Sequence, residues 1–385
     1  MKFFSEYIKG DRVIWVIVIL LSLFSLLSVY SSTGTLAFKY QGGNTEYYML
    51  KHLFIIISGL FFMYLIHNVR YTYFSRIAQL LFALSIPLLL ITLIQGTNLN
   101  EASRWLTIPG LNISFQSSDI AKLSIVLYLA RLLALKQDSI NDLNKAYVPL
   151  LLPVIGVTLL IFPANLSTAM LVFMTCIILM FVGRTPIKFI GATVGIAMVI
   201  MLLAILVIMQ FPGKGRVGTW ASRIESFSSS TDEDDYQAVQ SKIAIANGGI
   251  WGKMPGNSTQ RNFLPHPYSD FIYALIVEEF GLLGGVFVLF LYLILLYRGI
   301  RIAGKSPGSF GAFLAIGLTF ILVFQALINM GVAVNLLPVT GQPLPLVSMG
   351  GTSIWFTCIS LGIVLSVSRA NSETEKDSIN ETTKA

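Results

Sequence analysis

The chain has 385 residues, a net charge of +7, 55% hydrophobic residues and only 12% charged ones, with a mean hydropathy of +0.75. A soluble domain carries about 25% charged residues, so this composition excludes one. The positive balance calls for no nucleic-acid partner, because Lys and Arg collect in the inner loops of membrane proteins.

The first apolar run, VIWVIVILLSLFSLLSVY, is longer than a signal-peptide core. It lacks a small-x-small cleavage site, so it reads as a retained span over 13–32. Runs of about 17–25 apolar residues place further spans at 52–69, 75–95, 119–137, 147–162, 165–183, 187–211, 270–297, 310–332 and 352–368. The stretch from Val148 to Val182 carries no charge and is too long for one span. Pro163-Ala164-Asn165 breaks it into two helices joined by a tight hairpin.

Ten spans put both termini on the same side. With that side inside, sixteen basic residues fall in inner segments against four outside: Lys39, Lys51, Arg104 and Lys122. This inside bias orients the chain with both termini in the cytoplasm. The expected architecture is an all-α polytopic membrane protein, one membrane domain over 1–368. It has a shorter outer segment at 96–118 and a long one at 212–269. The tail NSETEKDSINETTKA, within 369–385, holds almost no large apolar residue and reads as disordered.

Four stretches could carry chemistry. In LPHPYSDFIYALIVEEFGLLGG, Asp270 stands at the outer end of the eighth span, and Glu278 and Glu279 lie inside it. Glu278 is eight residues on, roughly 12 Å deeper along a helix, where a carboxylate is too costly to face lipid. Glu279 reads as structural, paired with polar groups of neighbouring helices, while for Glu278 a structural and a functional role stand level. Asp270 has a bland reading too, as an acid favoured by the helix N-terminus.

At the outer start of the fourth span, Asp119 and Lys122 share a helix face. Lys122 is out of place beside the positive end of the helix, which calls for an anion nearby: Asp119 itself or a ligand phosphate. Arg104, beside Trp105, adds a second cation at that interface. The loop GGIWGK is not a phosphate-binding P-loop, since Asn247 and Met254 stand where that pattern needs Gly and Ser or Thr. Between the last two spans, NMGVAVNLLPVTGQPLPLVSMGGTS is broken by Pro and Gly without gaining charge. Such a segment is tolerated at membrane depth when buried in protein, and it reads as re-entrant beneath the outer site. Cys176 and Cys358 are isolated core residues, and His52, His67 and His266 lack metal-ligand spacing.

In this order these stretches resemble the SEDS family of shape, elongation, division and sporulation proteins, to which RodA and FtsW belong. SRWL followed by FQSSDIAKL is similar to the family's RRW and FQPSE-AK element. The stretches NGGIWGKMPGNSTQRNFLPHPYSDFIYALIVEEFGLLGG and FQALINMGVAVNLLPVTGQPLPLVSMGGTS are similar to its two later signatures. Asp119 replaces the family's Glu, and His266, Pro267, Tyr268 and Met349 are further departures.

The resemblance implies a peptidoglycan glycosyltransferase of the bacterial cytoplasmic membrane, polymerising lipid II at the outer face. Asp270 would be the catalytic base. Lys122, Asp119, Arg104 and Lys253 would bind substrate, with Lys122 and Arg104 on its diphosphate. Glu278 and Glu279 would both give structural support. The implied partners are a class B penicillin-binding protein and other membrane proteins of the division machinery. No cofactor is implied with certainty, and a divalent cation is left open. The LPLVS ending favours the division branch over the elongation branch, although Pro343 points the other way. A lipid II flippase and a non-catalytic scaffold are competing readings. The clustering of polar groups at one membrane face favours the enzyme.

Overall fold

The computed structural model describes residues 9–95, 97–99, 102–108, 113–210, 236–265 and 267–384. His266 lies outside them, as does the acidic stretch STDEDD at 230–235, whose composition reads as a solvated loop crest.

The chain begins with α1 (Arg12–Ser32), a short α2 (Gly34–Gln41), α3 (Thr45–His67) and α4 (Tyr73–Gln95). Side chains set where these start. Asp11 accepts from the Val13 amide at 2.9 Å, and Asn44 accepts from the Tyr47 amide at 3.1 Å, each satisfying an orphan donor of a first turn. The Asn44 cap explains why α3 begins ahead of the apolar run expected at 52.

The segment 96–118 departs from an all-α expectation. It forms an antiparallel sheet of β1 (Thr97–Leu99), β2 (Ala102–Ile108) and β3 (Ile113–Gln116), in that order. Trp105 lies opposite Gln116 in the β2–β3 register. Strands this short are invisible to a search for apolar runs of span length.

Next come α5 (Ser117–Leu135), α6 (Val148–Ile161), α7 (Leu166–Val182) and α8 (Ile187–Gln210). The break at Pro163-Ala164-Asn165 is a hairpin. Residues 162–164 turn, and the Asn165 side chain caps α7 by accepting from the Thr168 amide at 3.2 Å.

The segment read as one long loop contains a further helix, α9 (Tyr236–Gly248). The last three helices are α10 (Ile272–Gly304), α11 (Ser309–Ala333) and α12 (Thr352–Lys384). The final one corrects the expected disordered tail: the helix continues past 368, through a stretch with no Gly or Pro to stop it.

Among the described residues, eight helices are long and apolar enough to cross a membrane. Outside that set, α5 carries Asp119, Lys122 and Arg131, and α7 has 17 residues. α3 packs on α12, α4 on α5, and α11 touches α10, α12, α5 and α7. Two-thirds of the most apolar stretch of α11 is buried, against 6% for α8. α11 is therefore the central post, and α8 lies at the periphery.

One crossing constrains the half of the molecule that carries Asp270. At Gly281, α10 leaves helical geometry, with φ 71° and ψ −177°. A Cβ there would sit 2.1 Å from the Ile250 carbonyl oxygen and 2.5 Å from the Gly252 amide nitrogen. Gly281→Ala is expected to lower the thermal unfolding midpoint in detergent. The backbone conformation alone costs a side chain about 1–3 kcal/mol, before the clash. An unchanged midpoint would show that the crossing can relax.

Candidate active site

Asp270 sits in a turn just ahead of α10, half-buried, and accepts from the Ser269 hydroxyl at 2.8 Å. Its position is fixed through the backbone. The Asp270 carbonyl accepts from the Asn329 side-chain amide at 2.8 Å, the Ser269 carbonyl from the Ser348 hydroxyl at 2.6 Å, and the Tyr268 carbonyl from the Met349 amide at 2.9 Å. Burial raises the Tyr268 phenol above its ordinary pKa, and Tyr40, Tyr48 and Asp270 push it the same way.

The segment that supplies these contacts is packed inside the protein. Leu344, Leu346, Val347 and Ser348 are all buried. The Val347 carbonyl accepts from the Ser25 hydroxyl at 2.8 Å, and Ser25 in turn lies 2.6 Å from Nε2 of the buried His52. The Pro345 carbonyl accepts from the Tyr292 hydroxyl. An irregular, uncharged backbone keeps its polar groups paired in this way when surrounded by helices.

Asp119 and Lys122 form an ion pair of 2.8 Å in the first turn of α5, with 4% and 12% side-chain exposure. Lys122 also donates to Gln325 Oε1 at 3.0 Å. Gln325 and Asn329 are one turn apart on α11, so their side chains share a face. Gln325 donates to the Pro343 carbonyl at 2.9 Å, and Asn329 donates to the Gln342 carbonyl at 2.7 Å. Gln342 reaches Thr168 on α7 at 2.7 Å. One face of α11 therefore holds the Lys122 ammonium and the Asp270 backbone together. Asp119, Lys122 and Gln325, with Ser353 and Thr357 of α12, line a small cavity of about 30 Å³. The second oxygen of Asp119 and the carboxamide oxygen of Asn329 are buried and have no hydrogen-bond partner among the described residues.

The other expected residues lie elsewhere. Arg104 falls on β2, and its side chain is outside the described residues. Lys253, expected at the substrate, is ion-paired with the fully buried Glu278 at 3.0 Å and is not on the Lys122–Gln325–Asn329 network. Glu278 also accepts from the Ser258 hydroxyl, from the Thr259 amide at 3.1 Å and hydroxyl at 2.9 Å, and from the Gln260 amide at 3.3 Å. Glu279 accepts from the Ser31 hydroxyl of α1. Sequence reasoning assigned no role to Gln325, Asn329, Gln342, Ser25 or Ser348. The available signal was two carboxamides spaced i, i+4 in the otherwise apolar FQALINMG.

The chain matches the profile of the FtsW/RodA/SpoVE family, described as cell cycle proteins, over residues 11–373. It is 32% identical to stage V sporulation protein E of Bacillus subtilis (strain 168) over 367 residues, covering 93% of this chain and 97% of that protein. It is 30% identical to the probable peptidoglycan glycosyltransferase FtsW of Geobacter sp. (strain M18) over 363 residues, covering 93% and 96%. Two solved structures share the fold. One is a chain of a peptidoglycan synthase complex described as coordinating polymerization and crosslinking, with a TM-score of 0.74, 23% identity, and 94% and 98% of the two chains covered. The other is the rod shape determining protein RodA of Thermus thermophilus, with a TM-score of 0.68, 22% identity, and 95% and 99% covered.

Proposed function

This chain belongs to the FtsW/RodA/SpoVE family of cell cycle proteins, and we propose from that premise that it is a peptidoglycan glycosyltransferase. It polymerises lipid II, a disaccharide-pentapeptide on undecaprenyl diphosphate, during cell division. The name of the FtsW relative supports the activity. The membrane domain spans ten times, with both termini in the cytoplasm, the turn holding Asp270 at the outer face and the 334–351 segment re-entrant beneath it.

In this reading Asp270 takes the proton from the acceptor sugar's 4-hydroxyl as that oxygen attacks the donor's anomeric carbon. Undecaprenyl diphosphate leaves with the bonding pair. Lys122 stabilises the charge growing on the diphosphate, Asp119 orients Lys122, and Arg104 adds a second cation. The observation that carries the proposal is the hydrogen-bonded face of α11. Gln325 grips Lys122 at 3.0 Å, and one turn on Asn329 grips the Asp270 carbonyl at 2.8 Å. Base and cation are thereby held by one rigid element, as catalysis by positioned groups requires. The Lys253–Glu278 pair supports a structural role for Lys253, fixing residues 253–260 to α10, in place of substrate binding.

The test uses purified protein with a class B penicillin-binding protein partner whose transpeptidase is blocked. Glycan polymer formed from lipid II is the expected result. No polymer from a verified complex, with lipid II instead moved across vesicle membranes, would favour a flippase.

A further inference from the structure

At the opposite end of α10 from Asp270, the starts and ends of three helices converge. The beginning of α1, the end of α10 and residues 368–372 of α12 surround a cavity of about 330 Å³. Gly10, with φ 87°, seats the entering chain against α12: a Cβ there would lie 2.9 Å from the Leu365 carbonyl oxygen. Arg12, Arg298, Arg301 and Lys305 line this cavity with a single acid, Asp11.

That acid is already engaged. Asp11 Oδ1 accepts from the Val13 amide at 2.9 Å, while Oδ2 takes Arg298 Nε at 2.6 Å and a second contact from the same guanidinium. Arg12 and Arg301 have no acidic partner among the described residues. Arg12 and Arg301 therefore bring positive charge without an acidic partner among the described residues into a concave space. It lies where the apolar runs of α1, α10 and α12 end.

We propose that this cavity binds the phosphate headgroup of an anionic glycerophospholipid. Arg12 and Arg301 contact the phosphate, and Arg298, held by Asp11, forms the wall between them. Basic residues at a membrane rim also set orientation, and an unstructured positive rim would attract any anionic surface. The site differs from both in depending on these two arginines and on the lipid phosphate.

The full-length protein in neutral detergent is titrated with phosphatidylglycerol, phosphatidylcholine or inorganic phosphate. The unfolding midpoint and the lipid retained in native mass spectrometry are followed. Phosphatidylglycerol is expected to raise the midpoint and remain bound. The concentration needed should rise about 30-fold in R12Q/R301Q, the effect of removing two cations. The control R70Q/R76Q, which removes two charges from the same rim outside the cavity, should respond as wild type.

Equal loss in the control, an equal response to phosphatidylcholine, or the same shift from inorganic phosphate alone would each overturn the proposal. If R12Q/R301Q does not purify folded, R12K/R301K decides. It keeps both charges but loses the forked geometry of arginine. A weaker phosphatidylglycerol response upholds the site, and an unchanged one overturns it.

Discussion

Asp270→Asn should reduce lipid II polymerisation by about 10²–10⁴-fold, the usual contribution of a general base, while leaving the unfolding midpoint unchanged. The two expectations come from different atoms. The turn is held through backbone carbonyls, by Asn329 on Asp270, Ser348 on Ser269 and the Met349 amide on Tyr268. None of these involves the carboxylate. The side chain's own contact, from the Ser269 hydroxyl at 2.8 Å, survives in an asparagine, whose oxygen still accepts. The substitution removes only the capacity to take a proton. Polymer measured on gels with the partner's transpeptidase blocked gives the readout. Equal polymer from variant and wild type would remove Asp270 from the chemistry and turn attention to Asp119.

Lys122→Met should cost both stability and activity. Asp119 is 4% exposed, and its second oxygen already lacks a partner among the described residues. Removing its cation strands a buried carboxylate, a loss of about 3–5 kcal/mol when one member of a buried pair is deleted. The double variant D119N/K122M separates the effects. With neither charge present the stability penalty should largely vanish, a coupling that a double-mutant cycle reads directly. Polymerisation should stay low, because the leaving diphosphate still lacks its cation. A K122M variant that polymerises at the wild-type rate would confine Lys122 to neutralising Asp119.

The helices were legible because hydrophobicity over 17–25 residues is a strong signal. The Pro163-Ala164-Asn165 interruption was legible because proline and asparagine punctuate an otherwise uniform apolar run, and Asn165 caps α7. The β1–β3 sheet was not, since its strands span three to seven residues. The helical tail was misread because its composition is polar, while nothing in it terminates a helix. At the site, the charged residues stood out, because charge in an apolar chain is conspicuous. Their connection did not: Gln325 and Asn329 are neutral and lie 203 and 59 residues along the chain from their partners. The pairing of Lys253 with Glu278 was hidden for the same reason. A lysine in a glycine-rich loop advertises a ligand, and only the fold reveals that Glu278 occupies it.

The interruption at Gly281 changes what α10 is, mechanically. Amides of the preceding loop bond to helix carbonyls, Lys253 to Glu278 at 3.0 Å and Met254 to Glu279 at 2.9 Å, while the Leu282 amide bonds back to the Gly249 carbonyl at 2.9 Å. The part of α10 before Gly281 is thus stitched crosswise to residues 249–260, and the helical ladder is interrupted where it meets the remainder. Residues 249–280 form a plate fastened at its edges, and Asp270 is carried on it. The long part of α10 after Gly281 is a separate lever. A force on residues 249–260 reaches the acid without bending that rod, and tilting the rod need not disturb the acid.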